Sequence, residues 1–229
     1  MSKILSIETS IAICSVAIHE GGRLVGLLEL HQEAVHGSKL VPCIKSLMEH
    51  SGYAMGDLDA IAVAEGPGSY TGLRIGVSTA KGLAYAHDLA LIGVNSLDAL
   101  ARQVMSEMDP GDFVIPMIDA RRMEVYAKVL DHEGNSLVAT RPEILDENAF
   151  REYLEQGAVY FVGNANEKAR KCLESPRAVF RDYLNGARWV GEIAGEKFVR
   201  GELADIAYFE PNYLKEFMVL KSKKNPLLS

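Results

Sequence analysis

The chain has 229 residues, 48% of them hydrophobic and 24% charged. That suffices for one large domain or two small ones with a real core, and it excludes a disordered chain. The net charge is −7, and neither half is basic: up to residue 105 there are 7 basic and 10 acidic residues, and beyond it 17 and 21. This balance argues against strong unaided binding to nucleic acid. No apolar run reaches the length of a transmembrane helix, so no membrane association is expected. The N-terminus enters a strand without a signal-peptide pattern. Cys14, Cys43 and Cys172 lack the spacing of a zinc or redox motif, and a reducing, cytoplasmic setting is predicted.

Lys3–Ile7 reads as a strand, followed by the polar break Glu8-Thr9-Ser10 and a second strand over Ile13–Ile18. His19-Glu20-Gly21-Gly22 is a hairpin turn leading to a third strand over Arg23–Leu30. Leu40, Val41, Ile44, Leu47 and Met48 share one helical face. Ser38 is the expected cap of that helix, Pro42 belongs in its first turn, and Gly52 closes it. A short apolar run, Ile61–Ala64, is a buried strand, and Leu91–Val94 is another. Asn95 or Ser96 caps a helix expected to run to about Met108. The order βββαβαβα predicts a ribonuclease-H-like or actin-like unit. Asp109-Pro110-Gly111-Asp112 is the expected boundary. Beyond it Phe113–Ile118, Met123–Leu130 and Ser136–Thr140 repeat the three-strand opening, so a duplicated fold is predicted. Helices are expected over Asp146–Gln156, Asn166–Leu173 and Asn185–Arg200, a strand over Val159–Val162, and an extended piece over Pro211–Leu214. The predicted units are 1–108 and 109–220, with a basic, frayed tail over 221–229. The fold class is therefore α/β: two actin-like subdomains with mixed sheets flanked by helices.

The most informative stretch is Ala64–His87, read as strand end, Gly66-Pro67-Gly68 turn and long helix, with Ser69 or Thr71 as the cap. A glycine-rich turn opening a helix is either an anion cradle or a device for close strand–helix packing. The Lys-Ser/Thr pair of a P-loop does not follow. Within the helix, Gly72, Gly76 and Ala80 lie four residues apart and form a small-residue stripe that another helix could approach closely. Glycines at 72, 76 and 82 each cost about 1 kcal/mol relative to alanine, so close approach is the expected compensation.

Catalytic motifs are sparse. The six histidines are scattered, with no HExxH. Gly68-Ser69-Tyr70-Thr71-Gly72 places tyrosine where a hydrolase would need its nucleophile. Cys14 in a strand and Cys43 in a helix read as core. In actin-like ATPases the first hairpin turn of each half grips phosphate. The equivalents here are Glu8-Thr9-Ser10 and Asp119-Ala120-Arg121-Arg122, so Glu8, Thr9, Ser10 and Asp119 are the phosphate-turn candidates. Two arginines stand where glycine would be expected. The alternative is that Glu8 and Asp119 are ordinary turn carboxylates, or pair with Arg121 or Arg122.

The opening Lys3–Ser10, the block Glu65–Gly76, the segment Asp119–Tyr126 and Pro211–Leu214 together resemble the bacterial TsaB (YeaZ) family, once labelled glycoprotease-like. The resemblance runs over the whole chain and is most specific in its first hundred residues. It implies two actin-like subdomains and a non-catalytic subunit. That subunit supports the enzyme TsaD, with the small ATPase TsaE, in placing threonylcarbamoyl on the adenosine beside the anticodon of ANN-decoding tRNAs. It also implies contact with tRNA only through the complex, self-pairing as a homodimer when alone, no catalytic residue, no metal and no cofactor, and it leaves a nucleotide at the partner interface open. The metal-binding His-x-x-x-His of TsaD falls here on Ser96 and Leu100, and leucine cannot coordinate. In the family the first two helices make the partner contact. The residues this assigns are Leu40, Ile44, Leu47, Gly72, Leu73, Gly76, Val77 and Ala80. The competing expectation is an independent actin-fold ATPase or metallopeptidase-like enzyme.

Overall fold

The computed structural model describes residues 1–214; the expected tail over 221–229 lies outside them. The first unit runs β1 (Lys3–Glu8), β2 (Cys14–Glu20), β3 (Arg23–Leu30), α1 (His36–Ser51), β4 (Ala60–Gly66), α2 (Tyr70–His87), β5 (Ala90–Asn95), α3 (Ser96–Ala101). The chain continues with β6 (Phe113–Asp119), β7 (Glu124–Asp131), β8 (Ser136–Ile144), α4 (Arg151–Leu154), β9 (Val159–Val162), α5 (Asn166–Ala169), β10 (Ala178–Arg181) and α6 (Ala187–Val199). Each five-stranded sheet has the same topology: β3-β2-β1-β4-β5 in one and β8-β7-β6-β9-β10 in the other. β1–β2–β3 and β6–β7–β8 are antiparallel meanders, and β4, β5, β9 and β10 add in parallel. The duplication expected from the repeated three-strand opening is present.

β1 is apolar along most of its length because helices cover both faces of its sheet. Leu5 and Ile7 point to α1 and α2, and Ile4 points to α6, against Val190 and Ala194. The strand period of two then puts Ser6 and Glu8 on the α6 side as well. His19, paired with Ile4 across β2, joins them. α6 comes so close there that a Cβ on Gly191 would collide with the His19 ring.

Several boundaries differ from expectation. α1 begins at His36, so Ser38 is inside the helix rather than its cap, and Pro42 sits in the second turn. The proline is exposed, and the Ser38 carbonyl it leaves free faces water. α3 stops at Ala101 instead of Met108. Arg102 is held there by a bidentate pair to Glu196 at 2.7 and 2.9 Å, and Val104 turns inward between the sheets. Tertiary contacts override helix propensity. The helix expected over 146–156 shrinks to α4, because Phe150 takes a left-handed φ of 59° and buries against Phe161. β10 was not expected; it is a four-residue, half-buried edge strand with little pattern to read.

The 109–220 unit needs a larger correction. Its sheet starts after Asp109-Pro110-Gly111-Asp112, but α6 and the segment after it pack on the first sheet. Ala204 bridges to Leu91, the Lys81 ammonium donates to the Phe209 carbonyl at 2.8 Å, and the Asn212 amide donates to the Glu65 carbonyl at 2.7 Å. Tyr213 stacks on Tyr70 at the start of α2, ring centroids 4.7 Å apart. The chain after residue 186 is thus a strap returning across the first unit.

Candidate functional site

The first phosphate-turn candidate is closed. Glu8, Thr9 and Ser10 are all buried. Ser69 caps α2 by accepting from the Gly72 amide at 3.3 Å, and its own amide donates to the Ser10 carbonyl at 2.7 Å. The Thr9 hydroxyl donates to the Gly72 carbonyl at 2.9 Å. A Cβ on Gly72 would lie 2.1 Å from the Thr9 carbonyl oxygen, and one on Gly76 would lie 2.2 Å from Thr9 Oγ1. The glycine-rich turn therefore serves close packing; the Ser69 and Gly72 donors that could cradle an anion are bonded within the chain. Between the sheets, Ile11, Ile13, Leu97, Leu100 and Val104 pack against Val114, Ile118 and Val162, where a nucleotide cleft would need space.

Glu8 accepts from the Ser10 amide and from Asn185, whose amide also donates to the Ser96 carbonyl at 2.8 Å. Burial outweighs these hydrogen bonds and pushes the Glu8 carboxyl up to about 7. Among the described residues, Glu8 Oε2 and the Ser96 hydroxyl have no partner within hydrogen-bond distance. Burial under α6 thus favours the neutral form of this carboxyl far more than water would. Ser96 and Leu100 are both buried, Leu100 in the inter-sheet core. Among the described residues there is no group of three His, Cys, Asp or Glu side chains placed to hold a metal ion.

The second turn is built differently. Asp119 accepts from the Arg121 amide at 2.6 Å and pairs with Lys168 at 3.1 Å, so its ion-pair partner is neither Arg121 nor Arg122. Those two residues take left-handed φ values of 73° and 51°, at a cost of roughly 1–3 kcal/mol each. Glu8 and Asp119 share no partner and do not form one site. Two open hollows, of about 750 Å³ beside Gly21, Gly22 and Val199 and about 590 Å³ beside Asp146 and Cys172, touch neither turn.

The expected partner-interface residues also need correction. Leu40, Ile44, Leu47, Gly72, Leu73, Gly76, Val77 and Ala80 all face the protein's own interior. The stripe Gly72-Gly76-Ala80 is occupied by β1 and the Thr9 turn, so no outside helix reaches it. What α1 and α2 present outward is Val41 (61% exposed), Lys45, Arg74, Ser78, Gly82 and Tyr85 (81% exposed). Among the described residues nothing lies within 4 Å of a Cβ placed on Gly82. The signal was present in the sequence: Arg74, Ser78 and Gly82 also lie four apart, two residues along from the inward stripe and so on the nearly opposite side of the helix.

Two sheets of one topology, each a three-strand meander extended by parallel strands and flanked by helices, define an actin-like protein of two lobes. A protein-family model described as TsaD, tRNA N6-adenosine threonylcarbamoyltransferase, matches residues 30–217. The tRNA threonylcarbamoyladenosine biosynthesis protein TsaB of Escherichia coli is 30% identical, covering 96% of this chain and 97% of that protein; that of Bacillus subtilis is 29% identical over 93% of each. YeaZ from Pseudomonas aeruginosa superposes with a TM-score of 0.79 at 28% identity, covering 93% of this chain and all of that one. A second solved structure, a protein with similarity to peptidase YeaZ from the same organism, gives 0.82 at 26% identity over 94% and 100%. The chain belongs to the TsaB (YeaZ) family and takes part in tRNA threonylcarbamoyladenosine biosynthesis. No helix among the described residues is long and apolar enough to cross a membrane.

Proposed function

We propose that this chain is a non-catalytic subunit that supports a TsaD-like threonylcarbamoyltransferase, together with a TsaE-like ATPase, and meets tRNA within that assembly. The observation carrying this reading is the closed phosphate turn: Gly72 and Gly76 of α2 sit against Thr9 with no room for a Cβ, and the space between lobes is apolar core. The reading retains α1 and α2 as the partner helices and moves the contact to their outward faces. Val41 and Tyr85 give that surface apolar area, and Ser78 and Gly82 let another helix lie close. The same face is the proposed contact for a homodimer of the free chain, a self-complementary use of one patch.

The test is reconstitution of tRNA modification with and without this chain. Modification is expected only with the catalytic partner present, faster when this chain is added. Gly82→Trp, at a position with open space around it, is expected to fold and to abolish co-purification with the partner. ATP hydrolysis or tRNA modification by the purified chain alone would overturn the non-catalytic reading in favour of an independent actin-fold enzyme. Undiminished partner binding by Gly82→Trp would remove the outward face.

A further inference from the structure

We infer that the Arg121–Arg122 loop is an anion-recognition site that grips backbone phosphates of the tRNA. Three observations on different levels converge. In sequence, this is the only adjacent arginine pair in the chain. In backbone, both residues hold left-handed φ values of 73° and 51°. Such strain persists only where surrounding structure enforces it, and it clusters at functional sites. Here the enforcement is visible: Asp119 accepts from the Arg121 amide, the Ala120 amide donates to the Glu124 carbonyl at 3.1 Å, and the Lys168 ammonium donates to the carbonyls of Arg122 and Glu124. In side chains, neither guanidinium has a hydrogen-bond or ion-pair partner among the described residues. By contrast, Arg102, Arg170, Arg181 and Arg200 each hold a carboxylate. Lys168 neutralises Asp119, the one acid inside the loop, which leaves the two guanidinium charges uncompensated.

Paired planar forks suit phosphate oxygens, which they bind bidentately. RNA is favoured over an acidic protein surface because the family model that matches the chain is that of a transferase acting on tRNA and because two charges on a loop tip lack the buried anchor that a protein hot spot needs. The chain's net charge of −7 opposes free RNA, so the loop acts when the tRNA is already held by the assembly. The inference thus rests on the proposed partnership with a TsaD-like enzyme.

The experiment measures binding of a tRNA transcript to the assembled complex over a salt series. It compares wild type with Arg121→Gly/Arg122→Gly, in which glycine accepts the backbone conformation, and with the conservative Arg121→Lys/Arg122→Lys. Losing two phosphate contacts should lower the slope of log affinity against log salt by roughly 1.5 and weaken binding roughly tenfold at 0.1 M salt. The lysine variant should retain most of both, and complex assembly should be unchanged in all. If the complex assembles and the glycine variant binds tRNA with the wild-type slope, the inference fails while the proposed function stands. If the glycine variant instead loses a protein partner, the loop is a protein contact and the inference also fails. If the wild-type chain does not assemble with the enzyme at all, it is the proposed function that falls, and with it this use of the loop.

Discussion

Replacing Glu8 with glutamine should stabilise the protein, and only above a defined pH. Burial raises the Glu8 carboxyl from 4.5 to about 7. Between those values the folded chain keeps a proton that the unfolded chain has released, so stability falls as pH rises through the window and is flat on either side. The gap corresponds to about 3 kcal/mol at 1.36 kcal/mol per pH unit. Glutamine keeps an acceptor for the Ser10 amide and for Asn185 but has no charge to desolvate. His19 adds an effect of opposite sign: burial pulls its ring down to about 4, so it favours the fold at neutral pH and this contribution disappears as pH falls from 6.5 toward 4. The two slopes oppose each other in the wild type, and the variant–wild type difference isolates Glu8. Urea denaturation at pH 4.5, 6 and 8 should give no difference at the first pH and about 3 kcal/mol in favour of Glu8→Gln at the last, roughly 2–4 °C in melting temperature per kcal/mol for a chain of this size. A difference independent of pH, or one that grows toward acid, would refute a neutral buried Glu8.

Gly76→Ala should destabilise by about 1–3 kcal/mol, because its Cβ would lie 2.2 Å from Thr9 Oγ1 and the turn must shift to admit it; equal or higher thermal stability would contradict the packing described. Gly82→Ala should stabilise by about 1 kcal/mol, since its surroundings are open and glycine costs about that much in a helix; calorimetry of the free chain checks it. Ser69→Ala removes the α2 cap that accepts from the Gly72 amide and should cost about 1 kcal/mol, read as a drop in denaturation midpoint. Lys81→Met removes the ammonium that holds the strap carbonyls of Ala207 and Phe209, and limited proteolysis should then cut first within 205–213.

The fold was legible wherever a segment carries its own period. β1, β3 and β9 show it as apolar runs, and Gly21-Gly22 marks its hairpin by supplying two positive φ values. It was not legible where a distant contact decides. Residues 102–108 carry a helical pattern, yet Glu196 and the inter-sheet core claim Arg102 and Val104. Asn185 was expected as the first residue of the last helix, yet it lies outside α6, drawn under the sheet by Glu8 and Ser96. The return of α6 to the first unit leaves no local trace, because an amphipathic helix does not say which sheet it covers. At the candidate site, the carboxylates Glu8 and Asp119 were found, but burial, which decides their chemistry, is not a local property.

The small-residue stripe shows most directly why a motif and its use must be separated. A row of glycine and alanine at a spacing of four says only that something approaches one side of a helix. In α2 that row is Gly72-Gly76-Ala80; Arg74, Ser78 and Gly82 form a second row two residues along, about 200° around the axis and so on the nearly opposite side. The first has a visible occupant, Thr9, and an occupant that leaves no room for a Cβ is sufficient reason for both glycines. Gly82 has no occupant among the described residues yet bears the same cost in helix stability. A glycine whose cost no described residue explains is the stronger pointer to something outside the described chain, which is why the proposed partner contact is assigned to the row the sequence made less conspicuous.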